Sequence, residues 1–255
     1  MKKLAAFFLV LFILAIFSFG VVRYFANSSQ QDNWFNANYR ETFARSPFLR
    51  GIFHLRYDGD AKSDYFDVKK FPHLRIIVDR YEGCAVPLDV MTIVGSEIQR
   101  ITGRSEAVQF VQNNTFTAMQ GSYSKIDIRK LAQQMEKVHS HGDTAIAYLL
   151  CLNTYSDQPT NIGSTVNDDG MVVFFQTIKG ISVEAPNNET PYLISTILHE
   201  FGHQLGLDHV QNDECIMATS AEVPGSSPAD SVIIPSRYCP AELDTAAEIA
   251  KRFTS

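Results

Sequence analysis

The feature that most constrains this chain of 255 residues is the stretch from His199 to His209, which reads HEFGHQLGLDH. His199 and His203 are four residues apart, so on a helix they lie one turn above each other on the same face. Two imidazoles in that arrangement can both reach one small cation, and Glu200 then projects beside it. Gly206 lies where the helix has to end, because glycine adopts the left-handed conformation without steric cost. The chain can then turn and offer His209 as a third ligand.

Three neutral imidazoles with one open coordination position describe a catalytic zinc site, since structural zinc sites are closed by four protein ligands, mostly thiolates. The full pattern is H-E-x-x-H-x-x-G-x-x-H, and Met217 follows eight residues after His209. This combination is the signature of the metzincin metallopeptidases. On these residues the chain resembles that family. An amphipathic core helix with incidental histidines is the alternative, and it does not account for the glycine, the third histidine and the methionine together.

The resemblance implies a role for each residue of the motif. His199, His203 and His209 would bind one Zn²⁺ with water in the fourth position, and Glu200 would be the general base. Met217 would form an apolar floor beneath the site. The expected activity is that of a zinc metalloendopeptidase acting on a protein or peptide substrate.

Within the metzincins, the cysteines near Met217 are most similar to the archaemetzincin pattern. The shared residues are Cys215 directly upstream of the methionine and the later Cys239. Archaemetzincins bind a second zinc with four thiolates, but Ser236 and Glu242 stand here where two further cysteines would be needed. The residue after the third histidine is also not a cysteine. A second zinc is therefore not expected, and the subfamily stays open.

Helix-like and strand-like segments alternate from about residue 73 onward, which predicts an α/β (α+β) fold with a mixed, largely parallel sheet. The expected strands cover residues 74–81, 107–111, 144–152 and 171–178. The expected helices cover 87–102, a stretch after a capping box at 124–127, a long helix opening at Thr190 and Pro191, and 240–253. The metzincin resemblance implies the same arrangement, a twisted sheet with helices followed by a small irregular C-terminal subdomain. Residues 171–178 are either an internal strand or the sheet edge on which a substrate lies.

The amino terminus predicts a targeting segment. Lys2 and Lys3 precede an uncharged apolar run from Leu4 to Val22, which as a helix is about 28 Å long, close to the roughly 30 Å of a bilayer's hydrocarbon core. Residues 1–24 are either a retained signal anchor or a signal peptide cut after Gly20. Both readings put the catalytic part outside the cytosol, membrane-anchored or secreted.

We expect three regions along the chain: this targeting segment (1–24), a stalk with an aromatic-rich extension (25–68), and the metallopeptidase domain (69–255). The extension is either a short propeptide or an added hairpin. Its many aromatic side chains favour packing on the protease over a plain linker. The net charge of −6 and the absence of a basic cluster argue against nucleic acid as a partner.

Four cysteines allow three pairings. An oxidising compartment favours two disulfides, and the preferred scheme joins Cys215 to Cys239 and Cys84 to Cys151. Four buried free thiols are the alternative. Two further functions also stay open at this point: a zinc-binding or scaffold module without catalysis, and an exopeptidase that trims peptide ends.

Overall fold

The computed structural model describes residues 2–26, 34–39, 42–43, 46–53, 60–117, 121–135, 138, 140, 142–167, 169–182, 189–219 and 234–253. The chain divides into two compact units, Met1–Asp58 and Gly59–Ser255. The second unit therefore begins upstream of residue 69, where the sequence places the start of the catalytic domain. Residues 60–68 belong structurally to that unit.

The first unit is helical. It contains α1 (Lys2–Ala26), α2 (Trp34–Asn38) and α3 (Pro47–Phe53). By length and composition Phe7–Ala26 can cross a bilayer, and a signal sequence at this position has the same properties. Ala26, Phe35 and Phe53 are buried together at the end of α1. The aromatic residues of the predicted extension thus divide between the units, since Tyr65, Phe66 and Phe71 are buried in the second.

The second unit is built on a five-stranded sheet with the order β2-β1-β3-β5-β4. The strands are β1 (His73–Tyr81), β2 (Gln109–Phe116), β3 (Thr144–Leu152), β4 (Gly163–Val166) and β5 (Gly170–Phe174). All neighbours pair in parallel except β4, which runs antiparallel to β5. The nearly continuous apolar run of β3 lies at the centre, where a parallel strand is covered on both faces. The predicted mixed, largely parallel sheet is confirmed.

Six helices of the described residues complete this unit: α4 (Asp60–Phe66), α5 (Leu88–Thr102), α6 (Lys125–Met135), α7 (Phe175–Ser182), α8 (Glu189–Leu205) and α9 (Pro240–Ala250). Gly103, with φ of 69°, ends α5 as expected. The capping box before α6 is also present: the Ser124 N–H donates to the Asp127 carboxylate, and the Asp127 N–H donates to the Ser124 hydroxyl. The Ser124 bonds lower the pKa of Asp127.

The interpretation of residues 171–178 as one strand is wrong. The strand ends at Phe174, and α7 begins at Phe175. A short apolar run has the same appearance in a strand and in a buried helix, so periodicity alone could not separate them. The possibility that this segment forms the sheet edge is also wrong, because β5 pairs with β3 on one side and β4 on the other.

Two smaller boundaries differ from expectation. The second strand lies at Gln109–Phe116 and not at 107–111, and α8 begins at Glu189, which puts Thr190 inside the first turn. Downstream of α8 the chain from residue 206 to 219 forms turns and one isolated bridge, between Val210 and Ala218, and α9 follows. Over the described residues, this matches the small irregular C-terminal subdomain that the metzincin resemblance implies.

The helix that carries the motif is held from several sides. It packs against α5, β5 and β4, and α4 packs on it as well. Tyr65 of α4 is fully buried, and its ring centroid lies 5.3 Å from that of Phe201. In the sequence, Phe201 lies between the first two histidines of the motif. Arg104 binds the carbonyls of Asp64, Tyr65 and Phe71, which fastens α4 and the following turn to the end of α5.

Candidate active site

The three histidines of the motif converge on one point. Their Nε2 atoms form a nearly equilateral triangle, with 3.2 Å between His199 and His203, 3.2 Å between His199 and His209, and 3.1 Å between His203 and His209. Two of them project from α8, and the third follows the turn that ends it. Exposure increases along this series, from buried His199 to half-buried His203 and exposed His209.

This triangle fits a tetrahedral zinc ion. A Zn–N distance of about 2.0–2.1 Å places neighbouring ligand atoms of a tetrahedron about 3.3 Å apart. The observed separations of 3.1 to 3.2 Å are close to that value. Three imidazole nitrogens are also the donor set of a catalytic site, which leaves the fourth position for water or substrate.

Backbone carbonyls hold two of the rings in the tautomer that a metal requires. The Nδ1 of His199 lies 2.7 Å from the Ile216 oxygen, and the Nδ1 of His203 lies 3.1 Å from the Leu207 oxygen. Because a carbonyl only accepts hydrogen bonds, each Nδ1 must carry the proton. The lone pair of each Nε2 then points toward the centre of the triangle.

Glu200, the candidate base, is buried against the edge strand. Gly163 opens β4, and a Cβ atom there would lie 2.7 Å from the Glu200 Oε1 and 2.5 Å from the Thr196 Cγ2. Such distances are too short for any side chain. The missing side chain at Gly163 therefore lets the carboxylate lie directly beside the start of the edge strand.

Gly206 ends α8 as the motif predicts, with φ of +84°. Its N–H bonds the His203 carbonyl, and the Leu207 N–H bonds the Gly202 carbonyl. The side chain of Lys62 from α4 lies over Gly206. A cation at the C-terminal end of a helix is favourable, because the last carbonyls carry partial negative charge.

Met217, the methionine of the motif, is fully buried. Its sulfur contacts the backbone of Gly202, so a Cβ at Gly202 would collide with it. Gly202 is the second variable position between the two helical histidines. The turn around it is tied to the third histidine, since Val210 N–H bonds the Met217 carbonyl and Thr219 N–H bonds the Val210 carbonyl. The methionine and His209 are thus placed by one short piece of backbone.

A polar network that the sequence did not predict connects the methionine turn to α9 and α8. The carboxylate of Glu242 accepts the Met217 N–H at 2.6 Å and the Cys239 N–H at 2.7 Å. The Tyr238 hydroxyl donates to the Leu198 carbonyl at 2.5 Å. Burial, and then the nearby Glu242 carboxylate, raises the pKa of that hydroxyl well above its usual value.

One signal in the sequence could have indicated Glu242. It stands three residues after Cys239 at the start of a helix, and a carboxylate at that position commonly binds the N–H of the capping residue. The pattern is easily missed because cysteine is not a usual capping residue. The contacts of Tyr238, Gly202 and Gly163 bridge distant parts of the chain and have no local signal.

The cysteines lie in the two pairs that the sequence analysis prefers. Cys215 is bonded to Cys239 with 5.1 Å between their Cα atoms, and Cys84 is bonded to Cys151 with 6.1 Å. The first pair joins the methionine turn to the start of α9. The second joins the turn after β1 to the central strand β3.

Two sequence comparisons find proteins that this chain is similar to. The family model of the matrixins (peptidase M10) matches residues 104–230. The archaemetzincin of Aeropyrum pernix is 31% identical over 103 residues, which are 34% of this chain and 53% of that protein. The chain is metzincin-like. Both families consist of zinc-dependent peptidases, and the aligned region spans about half the length of the archaemetzincin.

Solved structures that this metzincin-like chain is similar to include two archaemetzincins and one peptidase. The archaemetzincin of Methanopyrus kandleri is 14% identical with a TM-score of 0.48, covering 71% of this chain and 97% of that one. A zinc-dependent peptidase of Methanocorpusculum labreanum is 14% identical with a TM-score of 0.47, covering 68% and 99%. The archaemetzincin of Archaeoglobus fulgidus, complexed with malonate, is 13% identical with a TM-score of 0.42, covering 68% and 99%.

Proposed function

We propose that this chain is a zinc-dependent endopeptidase with Glu200 as its general base. The observation that carries the proposal is the triangle of three Nε2 atoms, 3.1 to 3.2 Å apart, with a buried glutamate directly adjoining the first histidine. A zinc ion held by His199, His203 and His209 would supply a Lewis acid that lowers the pKa of bound water to about 7 and polarises a carbonyl.

Residues of the chain would transfer the proton and hold the site in place. Glu200 accepts a proton from the attacking water and passes it to the nitrogen of the leaving amine. Its burial beside Gly163 holds the carboxylate in one place and keeps bulk water away from it. The Nδ1–H bonds of His199 and His203 keep both rings from turning during the reaction.

We further propose that the substrate lies extended along β4. This strand is the edge of the sheet next to α8, and in the described part of the chain no strand pairs with its outer side. An extended peptide can add a strand to such an edge, with its main chain bonded to the strand. Because Gly163 begins β4 and contacts Glu200, a peptide on this edge would lie beside the proposed base.

The proposed location is outside the cytosol, either membrane-anchored through α1 or secreted. The apolar stretch Phe7–Ala26 supports a membrane-targeting role by its length and composition. The two cysteine pairs are consistent with an oxidising compartment, where disulfides persist.

The deciding experiment compares the detergent-solubilised full chain with its Glu200→Gln variant. Bound zinc is measured in both. Cleavage is assayed on a denatured protein, on a peptide blocked at both ends and on the same peptide with free ends. We expect one zinc ion in each chain and a loss of cleavage of about 10²–10⁴-fold in the variant. A chelator should abolish the activity of the wild type.

The matched control is Glu248→Gln, a glutamate on α9 that pairs with Lys251 at the surface and should change nothing. Cleavage of unblocked peptides alone would make the protein an exopeptidase. A wild-type chain that holds zinc but cleaves no more substrate than Glu200→Gln would be a zinc-binding module without catalysis. Either result overturns the proposed endopeptidase activity.

A further inference from the structure

The peptide group between Ile216 and Met217 is bonded on both sides. Its carbonyl accepts the Nδ1–H of His199 at 2.7 Å. Its N–H donates to the Oε1 of Glu242 at 2.6 Å. One peptide plane therefore lies between a buried carboxylate and the first histidine of the candidate zinc site.

Glu242 is itself held firmly in place. It is buried, and its second carboxylate oxygen accepts the Cys239 N–H at 2.7 Å, at the start of α9. Each oxygen thus has its own backbone donor, so the carboxylate cannot rotate without losing a bond. Charge-assisted hydrogen bonds of this kind are shorter and stronger than neutral ones.

We propose that Glu242 is a positioning residue for zinc binding, acting on His199 through the Ile216–Met217 peptide. The inference rests on the proposed zinc site. Histidines that bind a metal commonly donate their other ring N–H to a carboxylate or a carbonyl, which orients the ring and makes it a better ligand. Here the Ile216 carbonyl accepts the hydrogen bond from the Nδ1–H. The Glu242 carboxylate polarises that carbonyl from the far side of the same peptide, since hydrogen bonds in a chain strengthen one another.

The other helical histidine is oriented by different means. The Nδ1–H of His203 binds the Leu207 carbonyl, and the N–H of Leu207 binds the Gly202 carbonyl at the end of α8. That ring is held by the end of its own helix. His199 is instead held by a segment that lies far along the chain, and Glu242 connects that segment to α9.

A direct metal-binding role for Glu242 is the alternative, because a carboxylate oxygen of Glu242 and the sulfurs of Cys215 and Cys239 lie within 4.8 Å of one another. The two sulfurs are bonded to each other, and both carboxylate oxygens accept N–H bonds. An ion at this place would have to break all three interactions. Metal stoichiometry separates the two roles.

The test measures zinc affinity of the full chain by competition with a chromogenic chelator, for wild type, Glu242→Gln and Glu242→Asp. We expect a 10- to 100-fold weaker affinity for Glu242→Gln, the range found when outer partners of metal ligands are lost. Glu242→Asp keeps the charge, but its side chain is shorter. Its zinc affinity should therefore lie between those of the wild type and Glu242→Gln. Cobalt in place of zinc should give visible absorption bands in Glu242→Gln that are shifted from those of the wild type.

Two controls distinguish positioning from general stability. Tyr148→Phe removes the hydrogen bonds of a buried side chain of β3 to the backbone of Val138, in an apolar cluster separate from that of α8. Glu248→Gln changes an exposed carboxylate of α9. Thermal unfolding of the metal-free proteins is measured alongside. Zinc affinity should be within twofold of wild type in both controls, even though Tyr148→Phe unfolds at a lower temperature.

The proposal is overturned if Glu242→Gln binds zinc as tightly as the wild type while unfolding at a lower temperature, as Tyr148→Phe does. It is also overturned if the wild type holds two zinc ions and Glu242→Gln loses one of them. If Glu242→Gln fails to fold, Glu242→Asp decides alone, and an affinity equal to wild type overturns the proposal. A wild-type chain that binds no zinc would instead refute the proposed function itself, and the zinc content of the wild type shows this before any variant is compared.

Discussion

The two halves of the candidate site are held together by different forces. The helix side is α8, which carries His199 and His203 and buries Ile197, Leu198 and Phe201 completely. The turn side is the segment 206–219, which carries His209 and Met217. Ile216 and Met217 are buried here as well, but the irregular backbone is held by a disulfide, a buried carboxylate and isolated hydrogen bonds.

The difference follows from how each half satisfies its backbone. A helix pairs its own N–H and C=O groups, so its remaining requirement is to bury an apolar face. An irregular segment cannot do this, and every buried N–H needs a specific partner elsewhere. We therefore expect the helix side to respond most to loss of volume, and the turn side to loss of single polar contacts or of the cross-link.

The largest effect should come from Phe201→Ala on the helix side. This ring is fully buried against Tyr65, and truncation leaves a cavity. We expect the free energy of unfolding to fall by about 3–5 kcal/mol. Urea denaturation of the metal-free chain measures it, with Ile126→Ala on the exposed face of α6 as control. Equal losses for the two variants would contradict the role given to apolar burial.

Removing the cross-link of the turn side is the next change. Cys215→Ser combined with Cys239→Ser opens a loop of sequence separation 24, at a cost of about 3 kcal/mol, and should also weaken zinc binding, because Cys215 adjoins Ile216. The matched pair Cys84→Ser with Cys151→Ser, separation 67, should cost about 4 kcal/mol and leave zinc affinity unchanged. Denaturation and zinc titration of both proteins test this. Equal effects on zinc would remove the distinction between the pairs.

Gly202→Ala tests the contact surface between the two sides. Alanine in mid-helix is usually about 1 kcal/mol more favourable than glycine. Here its Cβ would collide with the Met217 sulfur, so we expect a net loss of about 1–3 kcal/mol. Gly180→Ala on α7, where the Cβ meets nothing within 4 Å, should stabilise instead. Thermal unfolding of both variants should show a lower unfolding temperature for Gly202→Ala and a higher one for Gly180→Ala. Changes of the same sign would contradict the contact.

Tyr238→Phe should have the smallest effect, about 1 kcal/mol, because it removes one buried hydrogen bond to Leu198. The pH dependence identifies the cause. Burial raises the pKa of Tyr238, so the folded chain keeps this proton where the unfolded chain ionises. Its stabilisation is complete below pH about 10 and is lost as the pH rises further. Between pH 8 and 11, the free energy of unfolding should fall more steeply for the wild type than for Tyr238→Phe. Parallel curves for the two proteins would contradict the hydrogen bond.

Much of the fold was predictable because its signals are local. The stop of α5 at Gly103, the capping box before α6 and the buried run of β3 each depend on a few neighbouring residues. The boundary between β5 and α7 was missed, because both halves of residues 171–178 are apolar and the change from strand to helix depends on what covers them. The edge position of β4 was missed for a similar reason, since strand order is set by pairing between distant segments.

The candidate ligands, the candidate base and the methionine were all named from the sequence, because their chemistry requires residue types at set spacings. Helical periodicity puts His199 and His203 on one face, and Gly206 has the backbone freedom that a turn toward His209 needs. The partners of this site were decided only by tertiary structure. Gly163 beside Glu200, Gly202 beneath the Met217 sulfur, and Glu242 behind the Ile216–Met217 peptide are contacts between segments that no local pattern links. Spacing along a helix is a local property of the chain, whereas the space left for a side chain depends on everything packed around it.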